Sequence, residues 1–358
     1  MSEWYFPPRT HCLLCVDPVT VVDWDTGDGI VWLNTNMEAV PGPPPEGTQE
    51  WRTWQLQGYL PYCAGSPAHP LPKRDSITMV LIGPSASGKD SLAKHLATHC
   101  GDIMRREGGL TIATPRGTRP DLIKAFSAGA TAPASPEKPH LANHWDLRHS
   151  NGRTTATLML FNTAGEDLIQ GDERGFRYAF RVVPYADILV FFVPPSTLIP
   201  ELDQGGADNR KTQDWFASIA DFVTRLQPLE NQPRTVVVAL TKCDKYADVD
   251  DFPKTLLSDR PGNRWSISDL IREQAQIADF IMSRPGGENL LDTLAPLSVK
   301  VFLTAISGTG VDHPLGRGPD EVVAGAHEAP PPNSAPIRAF DPLIIGLMRA
   351  GIWQEPDT

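Results

Sequence analysis

Ser76-Ile77-Thr78-Met79-Val80-Leu81-Ile82-Gly83-Pro84-Ser85-Ala86-Ser87-Gly88-Lys89-Asp90-Ser91 is the stretch on which the fold turns. Its first seven residues are an apolar run of strand length. The next seven, Gly83 to Lys89, fit G-x-x-x-x-G-K. Asp90 to His99 then carries Leu92, Leu96 and Ala97 at helical spacing. The glycine pattern alone is weakly specific, but a buried strand leading in and an amphipathic helix leading out are what a phosphate cradle requires. Glycines let backbone N–H groups turn inward around phosphate oxygens. The helix N-terminus adds a partial positive charge. Lys89 supplies a full one, aimed at the second and third phosphates. Gly83, Ser85, Ala86, Ser87, Gly88 and Lys89 are therefore the expected phosphate contacts. One position departs from the pattern: Asp90 stands where a Ser or Thr hydroxyl ordinarily binds Mg²⁺. Either Asp90 binds the metal as a carboxylate, or Ser91 substitutes for it, or the metal site is weakened.

Beyond this stretch, strand and helix signals alternate. Thr155 to Phe161, Ile188 to Val193, Thr235 to Leu240 and Ser298 to Leu303 read as further strands. Arg210 to Leu226 and Asp341 to Trp353 read as helices, each with apolar residues at helical period. Alternation of this kind predicts an α/β fold, a mostly parallel sheet with helices on both faces, which the phosphate cradle makes a P-loop fold. The first 74 residues have a different texture. Five of the nine tryptophans lie there, Pro41-Gly42-Pro43-Pro44-Pro45 excludes regular structure, and Thr20 to Leu33 reads as a hairpin turning at Asp28-Gly29. The expected division is a Trp-rich, β-containing segment over 1–74 and the α/β domain over 75–358. Ala128 to Pro139 and Ala329 to Pro336 read as loops.

Three more motifs fall at predicted strand ends. Asn162-Thr163-Ala164-Gly165 follows the second strand and resembles the D-T-A-G motif of GTPases, with Asn in place of the metal-side acid. In that family the Gly N–H meets the third phosphate, which assigns Gly165. Glu166 stands where many members carry the water-orienting Gln, so Lys89 and Glu166 are the candidate catalytic residues. Asp90, Ser91 and Asn162 are the candidate Mg²⁺ ligands, and the acid gained at Asp90 compensates the one lost at Asn162 if both face the same metal. Thr241-Lys242-Cys243-Asp244 resembles the guanine-reading N-K-x-D motif in a T-K-x-D form. The Asp244 carboxylate can accept from guanine N1–H and its exocyclic amine, a donor pair adenine lacks. The Lys242 stem can lie over the base, and Thr241 braces the loop more weakly than Asn. Thr304-Ala305-Ile306-Ser307 resembles the S-A-K loop, which assigns the Ala305 N–H to guanine O6.

On these motifs and their order the chain resembles the TRAFAC class of P-loop GTPases. More narrowly, on Cys63 to Pro72 before the cradle strand, Phe191 to Ile199 and Ala339 to Trp353, it is similar to bacterial double-GTPase-like proteins in which a zinc-ribbon-like segment precedes the GTPase domain, although only one GTPase domain is present. The likeness spans about Pro61 to Trp353. It implies GTP or GDP with Mg²⁺ as ligands, a protein effector, and a regulatory role in bacterial conflict or defence. The family's switch threonine has only loose counterparts, Thr131 or Ser135.

Cys12-Leu13-Leu14-Cys15 has the spacing of a metal knuckle, and Cys63 with His69 would complete a Cys₃His zinc set; the alternative is a degenerate ribbon with buried, reduced thiols. Five cysteines without a dense framework point to a reducing compartment, the cytoplasm. A net charge of −11 disfavours general binding of nucleic acid. No apolar run reaches the length of a membrane span. Three functions compete: a GTP-hydrolysing switch, slow or partner-stimulated; a nucleotide-binding scaffold whose metal site is dismantled; and an ATP-using small-molecule kinase, whose cradles tolerate Asp after the lysine.

Overall fold

The computed structural model describes residues 26–34, 36, 38–57, 59–64, 76–84, 87–89, 92–93, 95–96, 110–113, 143–149, 154–162, 186–202, 235–258, 265–297, 301–307, 337–350 and 352. A small antiparallel sheet comes first. Its middle strand β1 (Ile30–Leu33) pairs with β2 (Ala39–Val40) on one side and β3 (Leu60–Cys63) on the other. Helix α1 (Gln49–Leu56) lies between β2 and β3 in the chain. The proline run, Pro41 to Pro45, is neither helix nor strand, as the sequence predicts, and lies between β2 and α1. The other arm of the expected hairpin, Val21 and Val22, lies outside the described residues. Trp54 meets Trp32 and Tyr59 edge-on, with ring centroids 4.6 and 5.4 Å apart.

The main sheet has seven strands: β4 (Ser76–Ile82), β5 (Leu110–Ala113), β6 (Asn143–His149), β7 (Thr154–Asn162), β8 (Ile188–Val193), β9 (Thr235–Leu240) and β10 (Val301–Ala305). Their order across the sheet is β10-β9-β8-β4-β7-β6-β5. From β10 to β7 all pairings are parallel, and β6 and β5 continue the sheet antiparallel. The fold is the expected α/β arrangement, with two more strands than the apolar runs reveal. β6 reads Asn-His-Trp-Asp-Leu-Arg-His, too polar to announce itself as a strand.

The central strands are mostly apolar because both faces are covered, with Thr78 and Thr235 as buried exceptions. On one face Val80, Phe161, Phe191, Val193, Val238 and Leu240 pack under α2 (Ile267–Met282) and α3 (Gly287–Leu294), through Ile277, Phe280, Leu290 and Leu294. On the other, Ile77, Met79, Leu81, Val190 and Phe192 pack under α4 (Asp341–Arg349) and the helical turn carrying Leu92 and Leu96. Helices α2 and α3 are absent from the sequence expectation, although Ser266 caps α2 by accepting from the Asp269 N–H. Helix α4 ends at Arg349 rather than Trp353. The Ile352 N–H turns back to the Leu347 carbonyl at 3.0 Å, a six-to-one closure of the last turn. The expected helix Arg210–Leu226 and the loops 128–139 and 329–336 lie outside the described residues. Among the described residues no helix is long and apolar enough to cross a membrane.

This order has a functional consequence. After β4 the chain runs to the β5 edge and works inward through β6 to β7 beside β4, then crosses to β8 on the other side and builds outward to β10. Beside the C-terminal end of β4 the connections diverge. In open parallel sheets such a switch point is where ligands bind.

Candidate functional site

β4 ends at Ile82, and Gly83 begins the cradle at that switch point. Gly83 is required there by contact: a Cβ on it would lie 2.6 Å from the Phe192 Cβ and 2.8 Å from the Ser87 hydroxyl. The Ser87 N–H donates to the Pro84 carbonyl, closing the loop. Gly88 has φ 99°, which favours glycine, and the Leu92 N–H donates to its carbonyl at 3.0 Å to start the helix.

Lys89 curls back into this loop. Its ammonium donates to the carbonyls of Gly83 at 2.6 Å and Pro84 at 2.8 Å, with the Ser87 hydroxyl 3.5 Å away. Ser87 and Lys89 are both buried. A cation fixed inside a turn of peptide groups fits a polyphosphate in charge and in shape. Ser85, Ala86, Asp90 and Ser91 lie outside the described residues.

β7 runs beside β4, with Asn162 opposite Leu81. Asn162, the first residue of the Asn162-to-Gly165 motif, is therefore one strand away from the end of β4. Only the backbone of Asn162 is described; Gly165 and Glu166 lie outside, as do Thr131 and Ser135.

On the other flank, β8 separates the cradle from the Thr241–Asp244 loop. Phe192 backs Gly83, and the next residue, Val193, accepts from Thr241: its carbonyl takes the backbone N–H at 2.9 Å and the hydroxyl at 3.4 Å. The cradle and the loop are thus two strand spacings apart, about 10 Å. Lys242 has φ 51° and ψ 44°, left-handed backbone in a residue other than glycine. Such a conformation costs about 1–3 kcal/mol and persists only where its surroundings impose it. Here the surroundings are hydrogen bonds to the β10 end: the Ile306 N–H donates to Leu240 O at 2.8 Å, and the Cys243 N–H to Ile306 O at 3.1 Å. The side chain of Cys243 is buried. Burial, with the Asp244 charge beside it, pushes its thiol well above the ordinary range, against a smaller downward pull from Arg338.

Asp244 is half-buried, and the Ser307 hydroxyl donates to its Oδ1. Ser307, the last residue of the Thr304-to-Ser307 motif, is the residue that reaches the carboxylate. Ala305 is the last residue of β10, opposite Leu240, with its side chain in the core. The sequence could have pointed to Ser307 through one signal, a hydroxyl residue two positions beyond a strand that neighbours the Asp244 strand.

Of the four expected zinc ligands only Cys63 is described. It ends β3 as a buried cysteine. Cys12, Cys15 and His69 lie outside the described residues. Among the described residues no three His, Cys, Asp or Glu side chains gather as a metal site would need.

No protein-family profile matches the chain, and no curated protein does. Solved structures with a similar fold include a GTP-binding protein from the hyperthermophilic archaeon Sulfolobus solfataricus in complex with GDP. It is 13% identical, with 65% of this chain and 47% of that one covered and a TM-score of 0.30. The Saccharomyces cerevisiae Ski7 GTPase-like domain, bound to GTP, is 14% identical over 81% of this chain and 52% of that one, at 0.36. Translation elongation factor SelB from Methanococcus maripaludis, in complex with a GTP analogue, is 11% identical over 65% and 30%, at 0.24. The chain spans at most about half the length of these structures. At these TM-scores the likenesses carry no weight on function, which has to be argued from this chain's own geometry.

Proposed function

We propose that the chain binds a guanine nucleotide across the C-terminal ends of β4, β8, β9 and β10 and acts as a GTPase switch, hydrolysing GTP slowly or when stimulated by a protein partner. The observation that carries this is the pairing of two loops at one sheet edge. A buried ammonium sits in a glycine turn at one end, and a hydroxyl-braced carboxylate stands about 10 Å away at the other. A polyphosphate fits the first and a purine N1–H with its exocyclic amine fits the second.

In this reading Lys89 and the N–H groups of Gly83 to Ser91 hold the second and third phosphates and stabilise charge as it shifts toward the leaving oxygen. Asp244 fixes the base, Lys242 covers its face, Thr241 ties the loop to β8, and Ala305 is retained as a candidate contact to guanine O6. Gly165 meets the third phosphate, and Glu166 orients the attacking water. Mg²⁺, when bound, neutralises the phosphate oxygens; Asp90, Ser91 and Asn162 are the residues to hold it. Asn162 in place of an acid also favours a second reading, a scaffold that binds nucleotide without turning it over. We further propose 1–74 and 75–358 as separate units, zinc on Cys12, Cys15, Cys63 and His69, and a cytoplasmic switch serving a defence system.

Calorimetric titration with GDP, GTP and ADP, with and without Mg²⁺, tests the binding claim. Guanine nucleotides are expected to bind more tightly, and equal affinity for adenine nucleotides would overturn it. Phosphate release from GTP then separates switch from scaffold.

A further inference from the structure

Behind the base-reading loop lies a buried ionic cluster that no nucleotide contact explains. Its centre is Arg338, only 4% exposed. The guanidinium is forked onto Glu273 of α2, with Nη1 2.9 Å from Oε2 and Nη2 donating to Oε1 at 3.1 Å. Its Nε donates to the Ser258 carbonyl and Nη2 to the Thr255 carbonyl, both at 3.0 Å. The carboxylate of Asp341, the first residue of α4, lies 3.8 Å away; it also accepts from the Trp265 indole N–H at 2.7 Å. Three separate segments thus converge on one side chain.

The backbone of Arg338 is left-handed, φ 52°. A glycine would take that conformation without strain, so the side chain, not the turn, accounts for an arginine here. The residue immediately before it is the one that holds Ser307. Ile337 and Ser307 exchange two backbone hydrogen bonds of 2.9 Å, an isolated antiparallel bridge. Positions 307 and 337 are far apart in the chain, so closing the bridge costs conformational entropy that two hydrogen bonds offset only in part. The buried ion pair fixes the distal side of that bridge. The proximal side carries the hydroxyl that donates to Asp244.

We infer that Arg338 is a positioning residue for base discrimination: clamped by Glu273, it holds the Ile337–Ser307 bridge, which aims the Ser307 hydroxyl and through it the Asp244 carboxylate at the base edge. This rests on the guanine-nucleotide reading above. It adds that selectivity depends on a residue touching neither base nor phosphate. A lysine in its place keeps the charge but loses the forked geometry.

The test compares GDP with IDP, which lacks the exocyclic amine, by competition against a fluorescent GDP analogue. In wild type GDP is expected to bind more tightly than IDP. In Arg338→Lys the GDP-to-IDP ratio is expected to fall about tenfold, the effect of one misaligned charged hydrogen bond, with IDP, which keeps only the N1–H contact, weakened less than GDP. In Ser307→Ala the ratio falls similarly, and the double variant falls no further, because both act on one contact. Leu294→Ala, a buried residue of α3, lowers stability and leaves the ratio alone. Should Arg338→Lys not fold, Glu273→Gln is expected to lower the ratio about threefold through the same clamp. An unchanged ratio in the folded Arg338→Lys or Glu273→Gln protein, or additive losses in the double variant, overturns the inference. Wild type showing no preference among GDP, IDP and ADP overturns the guanine reading itself, and is distinguishable because it precedes any variant.

Discussion

Gly83→Ala adds one methyl group at the hinge between β4 and the cradle, and its consequences can be worked out atom by atom. The new Cβ would lie 2.6 Å from the Phe192 Cβ, 2.8 Å from the Ser87 hydroxyl and 3.2 Å from the Phe192 carbonyl. Carbon atoms pack best at about 3.5–4.0 Å, so the first contact must open by about 1 Å. Ser87 can rotate away. Phe192 cannot, because its Cβ and carbonyl belong to a fully buried strand. Gly83 itself must therefore move, at a cost of about 1–3 kcal/mol for overpacking. Its carbonyl is the closest acceptor of the Lys89 ammonium, so the lysine moves with it. If about 1.4 kcal/mol of that strain falls on the bound state, nucleotide affinity drops tenfold. The matched control is Gly346→Ala in α4, whose Cβ would meet the Ile188 side chain at 2.2 Å, near the opposite end of β8 from the cradle. Denaturant unfolding and GDP titration of both variants give a clear contrast. Both should lose stability, and only Gly83→Ala should lose affinity. A folded Gly83→Ala protein that binds GDP as wild type does would refute the cradle as the phosphate site.

Three further outcomes are expected. Lys89→Met removes the ammonium held by Gly83 and Pro84; GDP affinity by calorimetry should fall about 10- to 100-fold, the worth of a charge-assisted hydrogen bond, and a loss under threefold would count against the assignment. Asp244→Ala removes the acceptor for two base donors, so GDP should weaken about 100-fold in competition binding while ADP stays constant; parallel losses for both nucleotides would point to a folding effect instead. The third concerns Cys243. Its thiol is pushed above its usual value of 9.0 by burial first and by Asp244 second. The folded state therefore keeps a proton that the unfolded chain releases above about pH 9, and this contribution to stability is present below that pH and lost as pH rises past it. Unfolding free energies at pH 8 and pH 10 should fall more steeply in wild type than in Cys243→Ala, by up to about 1.4 kcal/mol per pH unit. Equal slopes would contradict the burial argument.

The parts of the fold that could be read in advance are those whose sequence has one physical explanation. β4, β8 and β9 are almost wholly apolar, with Thr78 and Thr235 the buried exceptions, because both their faces are covered, and their observed limits match the expected ones residue for residue. β5 and β6 could not be read this way. They sit at the sheet margin, where fewer positions need to be apolar, and β6 gains its place by pairing along β7 rather than by composition. Helix α2 has a legible period behind a loop signal. Leu270, Ile277, Phe280 and Ile281 lie at helical spacing behind the cap Ser266, but they follow a Pro-Gly-Asn stretch at 261–263 that reads as loop.

The two halves of the candidate site differ in the same way. The cradle is local: one strand, one loop and one helical turn are contiguous in the chain, so Gly83, Gly88 and Lys89 could be assigned roles from spacing alone. The base-reading half is not local. Thr241 to Asp244 could be picked out, but its geometry is imposed by Val193, Ile306, Ser307 and Ile337, which come from three other places in the sequence. Motif spacing put the weight on Ala305, in the strand, whereas the residue that reaches Asp244 is two positions on, where the chain has left the strand and can turn a side chain toward the neighbouring loop. The left-handed backbone at Lys242 and at Arg338 fits this account. Neither residue favours that conformation by itself, so each reports a constraint applied from outside its own segment. A loop held in that way depends on groups remote from its motif, and selectivity for the base should accordingly be more sensitive to distant substitutions than affinity for the phosphates.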